Sequence, residues 1–123
     1  MNPIVVKNDE IELRKLSDGC ICKIIFDSLN GAQNFSIGTV IIEPNQRTAQ
    51  HMRDVEELIY ALKGDTFVIT EENEYMLKEG DSILIPKGIK HYHANKSKQT
   101  IEQLYIFAPQ GPEKTLRNLK IIK

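Results

Sequence analysis

The chain has 123 residues, 41% hydrophobic and 27% charged, with 16 basic against 17 acidic side chains. That is enough for one domain with a real core, and a formal net charge of −1 supplies no field to gather nucleic acid or an anionic membrane. The opening "MNPIVVKNDEIELRK" carries no apolar signal region, and no apolar run approaches the ~20 residues of a spanning helix, so the expectation is a soluble cytoplasmic protein with no membrane partner.

In chain order, Cys20 and Cys22 come first, spaced C-x-C rather than C-x-x-C. They read as reduced thiols serving as small apolar residues on one face of a strand. Short apolar runs then recur: "ICKIIF" (21–26), "FSIGTVII" (35–42), "LIYALK" (58–63), "TFVITE" (66–71), "EYMLK" (74–78), "SILI" (82–85) and "IEQLYIFA" (101–108). Each has strand length, and most carry β-branched or aromatic residues. Between them lie Gly, Pro, Asn and Asp clusters, among them Gly64 with Asp65, which reads as a hairpin turn. Many short strands with frequent turns predict an all-β sandwich or barrel. In the tail, Pro112, Leu116 and Leu119 have helical spacing, while "LKIIK" reads equally as strand; Lys114, Arg117, Lys120 and Lys123 read as a solvated basic face.

The chemistry concentrates in two stretches. In "QHMRDVEELIYALKG" (50–64), His51 and Arg53 would share a strand face, a turn is expected near Asp54, and Glu57 would share a face with Ile59 and Ala61. Leu58, Tyr60 and Leu62 take the other face, so this strand reads as buried on both sides, with Glu56 turned to solvent. In "GDSILIPKGIKHYHAN" (80–95), the Pro-Lys-Gly turn delivers a strand on which His91 and His93 share a face. Imidazoles and a carboxylate inside a β-barrel are costly to bury alone. A divalent ion resolves that cost, and two histidines with one carboxylate is the donor set of non-haem iron sites. On the last long strand Gln103 and Tyr105 share a face and are candidates for lining the pocket.

These stretches resemble the two motifs of the cupin superfamily. His51, Glu57 and Gly64 fall at the first motif's spacings, with Pro44 and Asn45 where its opening glycine would stand; Gly80, Pro86, Gly88, His91 and Asn95 match the second at every position. The likeness covers roughly residues 36 to 113 of a single domain spanning 1–123. It implies a double-stranded β-helix, or jelly-roll barrel, of two antiparallel sheets, and a homodimer, to which the tail spacing would add a short C-terminal helix. It also implies metal ligands at His51, Glu57 and His91, with iron, manganese, nickel or zinc as the ion.

Arg53 stands where a cupin places a further histidine ligand, and a guanidinium has no lone pair to offer. Three readings stay open here: a three-ligand site with Arg53 gripping an anionic substrate, His93 filling the gap, or a lost metal replaced by an Arg53–Glu57 ion pair. The implied function is a metal-dependent enzyme (dioxygenase, isomerase, lyase or similar) acting on a small polar or anionic molecule. In it Arg53 orients the substrate and His93 or Tyr105 moves protons. The alternative is a non-catalytic, metal-free binding module for a sugar or carboxylate.

Overall fold

The computed structural model describes residues 2–122. Its strands are β1 (Leu13–Lys15), β2 (Ile21–Phe26), β3 (Ser36–Ile42), β4 (Glu56–Lys63), β5 (Thr66–Thr70), β6 (Glu74–Leu77), β7 (Ser82–Ile85), β8 (His91–Ala94), β9 (Ile101–Ala108) and β10 (Ile121–Ile122), with one helix, α1 (Glu113–Arg117). They form an antiparallel seven-stranded sheet, ordered β10-β1-β2-β3-β9-β4-β7, and a three-stranded sheet, β6-β5-β8. This is the expected cupin-like jelly roll, short C-terminal helix included. No helix among the described residues is long and apolar enough to cross a membrane.

Strict alternation drives the packing. On β9, Ile101, Gln103, Tyr105 and Phe107 are buried while their neighbours are only partly so. Strand register then lays inward residues in cross-strand rows: Ser36, Phe107, Glu57 and Ile85 in one, Gly38, Tyr105, Ile59 and Ile83 in the next. Glu57 thus enters the barrel because its strand has the parity of Ile59 and Ala61. The other face of β4 departs from expectation. Tyr60 and Leu62 are 38% and 46% exposed, because no second layer among the described residues covers the outside of the large sheet.

A second correction concerns Gly64 and Asp65. They do not close a hairpin: β4 is already paired on both edges by β9 and β7, so the chain crosses at this corner to begin the small sheet. Gly64 has φ +79, and a Cβ there would meet Ile101 at 2.7 Å, so the corner requires glycine. Gly38 is needed for a different reason. The Tyr105 ring lies across β3 to donate its hydroxyl to the Lys23 carbonyl at 3.2 Å, and a Cβ on Gly38 would sit 2.3 Å from that hydroxyl.

Cys20 and Cys22 are both free and fully buried. Burial pushes their thiols up to about 12 and about 11, which suits the inert, core-filling part expected of them. The C-terminal helix is fastened by polar contacts that span the sequence. Glu113 accepts from the Ser36 hydroxyl, Arg117 donates twice to Asp27 at 2.7 Å, and Arg14 donates to the Arg117 and Leu119 carbonyls. Lys114 and Lys120 are exposed as expected, but Arg117 is an anchor rather than part of a solvated face; Lys123 lies outside the described residues.

Candidate metal centre

Residues 45–51 run beside β8 as an irregular extra strand. The Thr48 amide donates to the His93 carbonyl, and His51 and His91 exchange both backbone hydrogen bonds at 2.9 Å. The residue that opens this segment explains the missing glycine: Asn45 has φ +65, the left-handed conformation that Asn tolerates better than other residues carrying a Cβ. Asn95 holds the far end. Its amide nitrogen donates to the Ile42 and Gln99 carbonyls, and its oxygen accepts from Ser97, so it braces the turn after β8.

These contacts aim four side chains at one point. His51, Glu57, His91 and His93 each offer a donor atom, all within 4.8 Å of one another. His91 Nε2 lies 3.3 Å and His51 Nε2 3.9 Å from Glu57 Oε1, and His93 Nε2 lies 3.4 Å from Oε2. Nδ1 of His51 faces the Ala49 carbonyl at 2.9 Å, and Nδ1 of His91 faces the Ile89 carbonyl at 2.8 Å. A carbonyl only accepts, so each Nδ1 carries a proton and each Nε2 is the atom turned toward Glu57. His51 Nε2, His91 Nε2 and Glu57 Oε1 are buried with no hydrogen-bond partner among the described residues.

The electrostatics keep these donors in metal-ready form. Burial, reinforced by the charges of His93 and Arg53, pulls His51 down to about 4, so its imidazole is neutral at neutral pH. Burial lowers His93 in the same way, against the pull of Glu57. Burial works against the Glu57 carboxylate, but the imidazoles of His91 and His93 more than offset it and hold the carboxyl well below its usual range. Imidazole nitrogens around one anionic oxygen are a donor set that suits a divalent ion.

A family model for the cupin domain matches residues 38–107. The chain belongs to the cupin family. An uncharacterized protein from Aquifex aeolicus (strain VF5) is 33% identical over 88% of this chain and 87% of its own length. "Polyketide synthase CurC" from Streptomyces cyaneus is 24% identical over 94% of this chain and 76% of its own. Among solved structures, the polyketide cyclase RemF from Streptomyces resistomycificus superposes with a TM-score of 0.79 at 20% identity, covering 90% of this chain and 82% of that one.

In this cupin Arg53 lies beside the cluster, not in it. Its Nε is 3.9 Å from Glu57 Oε1 and has no hydrogen-bond partner among the described residues, while its guanidinium lies 5.4 Å from the centre of the Phe107 ring. The same molecule shows what a committed pair looks like: Arg117 and Asp27 make two bonds of 2.7 Å. A cavity of about 220 Å³ opens next to the cluster, and His51, Arg53, Glu57 and His93 all line it. A larger groove, about 650 Å³, lies between the β6 and β7 edges and touches none of the four.

Gln103 and Tyr105 both face the cavity. Gln103 Oε1 accepts from the Thr66 hydroxyl; the Tyr105 hydroxyl is bound to the Lys23 carbonyl, and burial pushes its ionisation far up. Phe107, Leu116 and Leu119 also line the cavity, and the sequence alone does not mark them as site residues. Phe107 is findable, since it shares parity with Tyr105. That Leu116 and Leu119 reach the site depends on how α1 docks, which periodicity does not report.

Proposed function

We propose that this cupin holds one divalent metal ion through His51, Glu57, His91 and His93, and acts with it on a small anionic molecule oriented by Arg53. The observation that carries the reading is the convergence of unpartnered Nε2 and carboxylate atoms, with the opposite ring nitrogens of His51 and His91 pinned to backbone carbonyls. That pinning is the usual outer support of a histidine ligand. His93 takes the place that Arg53 vacates in the ligand set, so its part is coordination rather than proton transfer. Tyr105 packs and braces, because its hydroxyl is committed to a backbone carbonyl. The long Arg53–Glu57 contact counts against a metal-free site held by an ion pair, and it leaves the guanidinium donors free for a substrate carboxylate.

When bound, the ion (iron, manganese, nickel or zinc) supplies Lewis acidity or a docking point for oxygen. The polyketide synthase and polyketide cyclase named among the relatives favour catalysis on a small organic molecule over passive binding. We place the protein in the cytoplasm, where two free buried thiols are at home. We also read it as a homodimer, with the exposed Tyr60, Leu62 and Leu84 on the outer face of the large sheet as the contact. Its near-zero net charge offers nucleic acid no foothold.

Elemental analysis of protein purified without tag or chelator tests the metal reading. The expected result is close to one equivalent of a transition metal per chain, lost in His91→Ala. No metal in the wild type, even after reconstitution, would overturn it and leave a metal-free binding module.

A further inference from the structure

Deepening that reading, we infer that the molecule taken by this site is a flat carboxylate with an apolar, single-ring body, and that α1 sets its maximum length. Within the lining, His51, Glu57 and His93 form one cluster with Arg53 beside them. The remaining walls are mainly apolar, with Val40, Ile59, Tyr105, Phe107, Leu116 and Leu119 among them, and Ser17, Asp18 and Thr115 also line the cavity. Apart from Ser17, the other polar side chains are already engaged: Gln103 with Thr66, the Thr48 hydroxyl with the His93 amide, the Asp18 carboxylate with the Cys20 and Ala49 amides, and the Thr115 hydroxyl with the Pro112 carbonyl. A sugar or polyol would bury several hydroxyls against largely apolar walls with too few partners for them, which is unfavourable. An aromatic or aliphatic ring incurs no such cost and gains from leaving water.

Charge and size narrow the class further. Among the described residues lining the cavity, Arg53 supplies the one guanidinium or ammonium, and its Nε has no hydrogen-bond partner. The Phe107 face, at 5.4 Å, is within the range at which a ring orients a guanidinium. The space of about 220 Å³ holds roughly seven waters at ~30 Å³ each. It falls below the ~300–1,000 Å³ of drug-sized ligands.

The far wall does not yield easily. Leu116 and Leu119 are carried by a segment that Glu113 ties to β3, Arg117 to Asp27 just after β2, and Arg14 to β1.

The test is calorimetric titration of the protein as purified, metal content measured on the same sample, with benzoate, benzyl alcohol, gluconate and 2-naphthoate as probes. Benzoate should bind at least about tenfold more tightly than either gluconate or benzyl alcohol, as expected for one charge-assisted contact plus ring burial. Arg53→Ala should erase the advantage over benzyl alcohol while leaving metal content unchanged. The wild type should reject 2-naphthoate, and Leu116→Ala should admit it; Leu119→Ala opens the same wall should the first variant fold poorly. Gluconate binding as well as benzoate, no measurable benzoate binding, or wild-type acceptance of 2-naphthoate would each overturn the inference. A full equivalent of metal without acid discrimination defeats the ligand class and spares the metal reading; discrimination without metal does the reverse.

Discussion

His51 and His91 are each other's backbone partners: each amide donates to the other's carbonyl at 2.9 Å, and their rings sit 4.3 Å apart. The backbone of the first-motif histidine is therefore placed by the second-motif strand, since residues 52–55 carry no regular structure, while its ring is turned by the Ala49 carbonyl. This is why the site tolerates arginine at position 53. The spacing between the two Nε2 atoms depends on a closely bonded antiparallel pair, and a side chain two residues beyond His51 does not disturb that pair.

If His93 is the ligand that compensates for Arg53, the two positions are exchangeable. Outer partners of a metal site already cost about 10–100-fold in affinity when lost, so His93→Ala should weaken metal binding by at least about tenfold. Adding Arg53→His to that variant should recover most of the loss. Competition with a chromophoric chelator measures both, and a double variant as weak as the single one would remove His93 from the ligand set.

Gly38→Ala should destabilise the fold by about 3 kcal/mol, as overpacking a filled core does. The new Cβ would lie 2.0 Å from the Lys23 carbonyl, which is backbone and cannot turn aside. Tyr105→Phe added to it should recover only part of the loss, because the carbonyl clash remains. Urea unfolding of the two variants reads this directly; a neutral Gly38→Ala would mean that β3 and β9 are less tightly apposed than described.

The Asp27–Arg117 pair makes stability depend on pH in a known direction. Hydrogen bonding from Arg117 is the largest influence on Asp27 and holds its carboxyl below the usual range. With the folded value depressed, the contribution is complete above the unfolded value of about 3.9 and fades as pH falls through the folded one. Asp27→Asn should therefore cost about 1–3 kcal/mol at pH 7, a typical value for a charged hydrogen bond. The gap from wild type should close on acidification below about pH 4. Urea midpoints across pH 3 to 7 give the curve; a gap constant with pH would refute the assignment.

Leu84 is 58% exposed on the outer face of β7, near Tyr60 and Leu62. In the dimer proposed above, Leu84→Glu would bury an unpaired charge, so the variant should sediment as a monomer at micromolar concentration while keeping its strand signal by circular dichroism. A wild type that is already monomeric, or a dimer untouched by the change, would place the contact elsewhere or abolish it.

Much of the fold is legible in the chain because strand periodicity is local. "ICKIIF" and "SILI" coincide with β2 and β7, and the run ending at Ala108 coincides with β9. β1, only three residues long, carries too little pattern to stand out. The shared parity of Glu57, Ile59 and Ala61 is what the barrel shows. The outer face of the same strand reads as buried yet lies open, because Leu58, Tyr60 and Leu62 are apolar whatever faces them.

By itself, then, the sequence determined most of the strands, where the chain turns between them, and the donor types His, His and Glu at motif spacing. Those are set by steric and chemical properties of single residues and their near neighbours. Tertiary structure alone decided that Asn45 takes up the left-handed turn in place of glycine, that His93 joins the cluster, that Arg53 is left facing a cavity, and that Leu116 and Leu119 wall it. Each of these depends on contacts between segments tens of residues apart, made by register and sheet crossing, and local propensity carries no record of them.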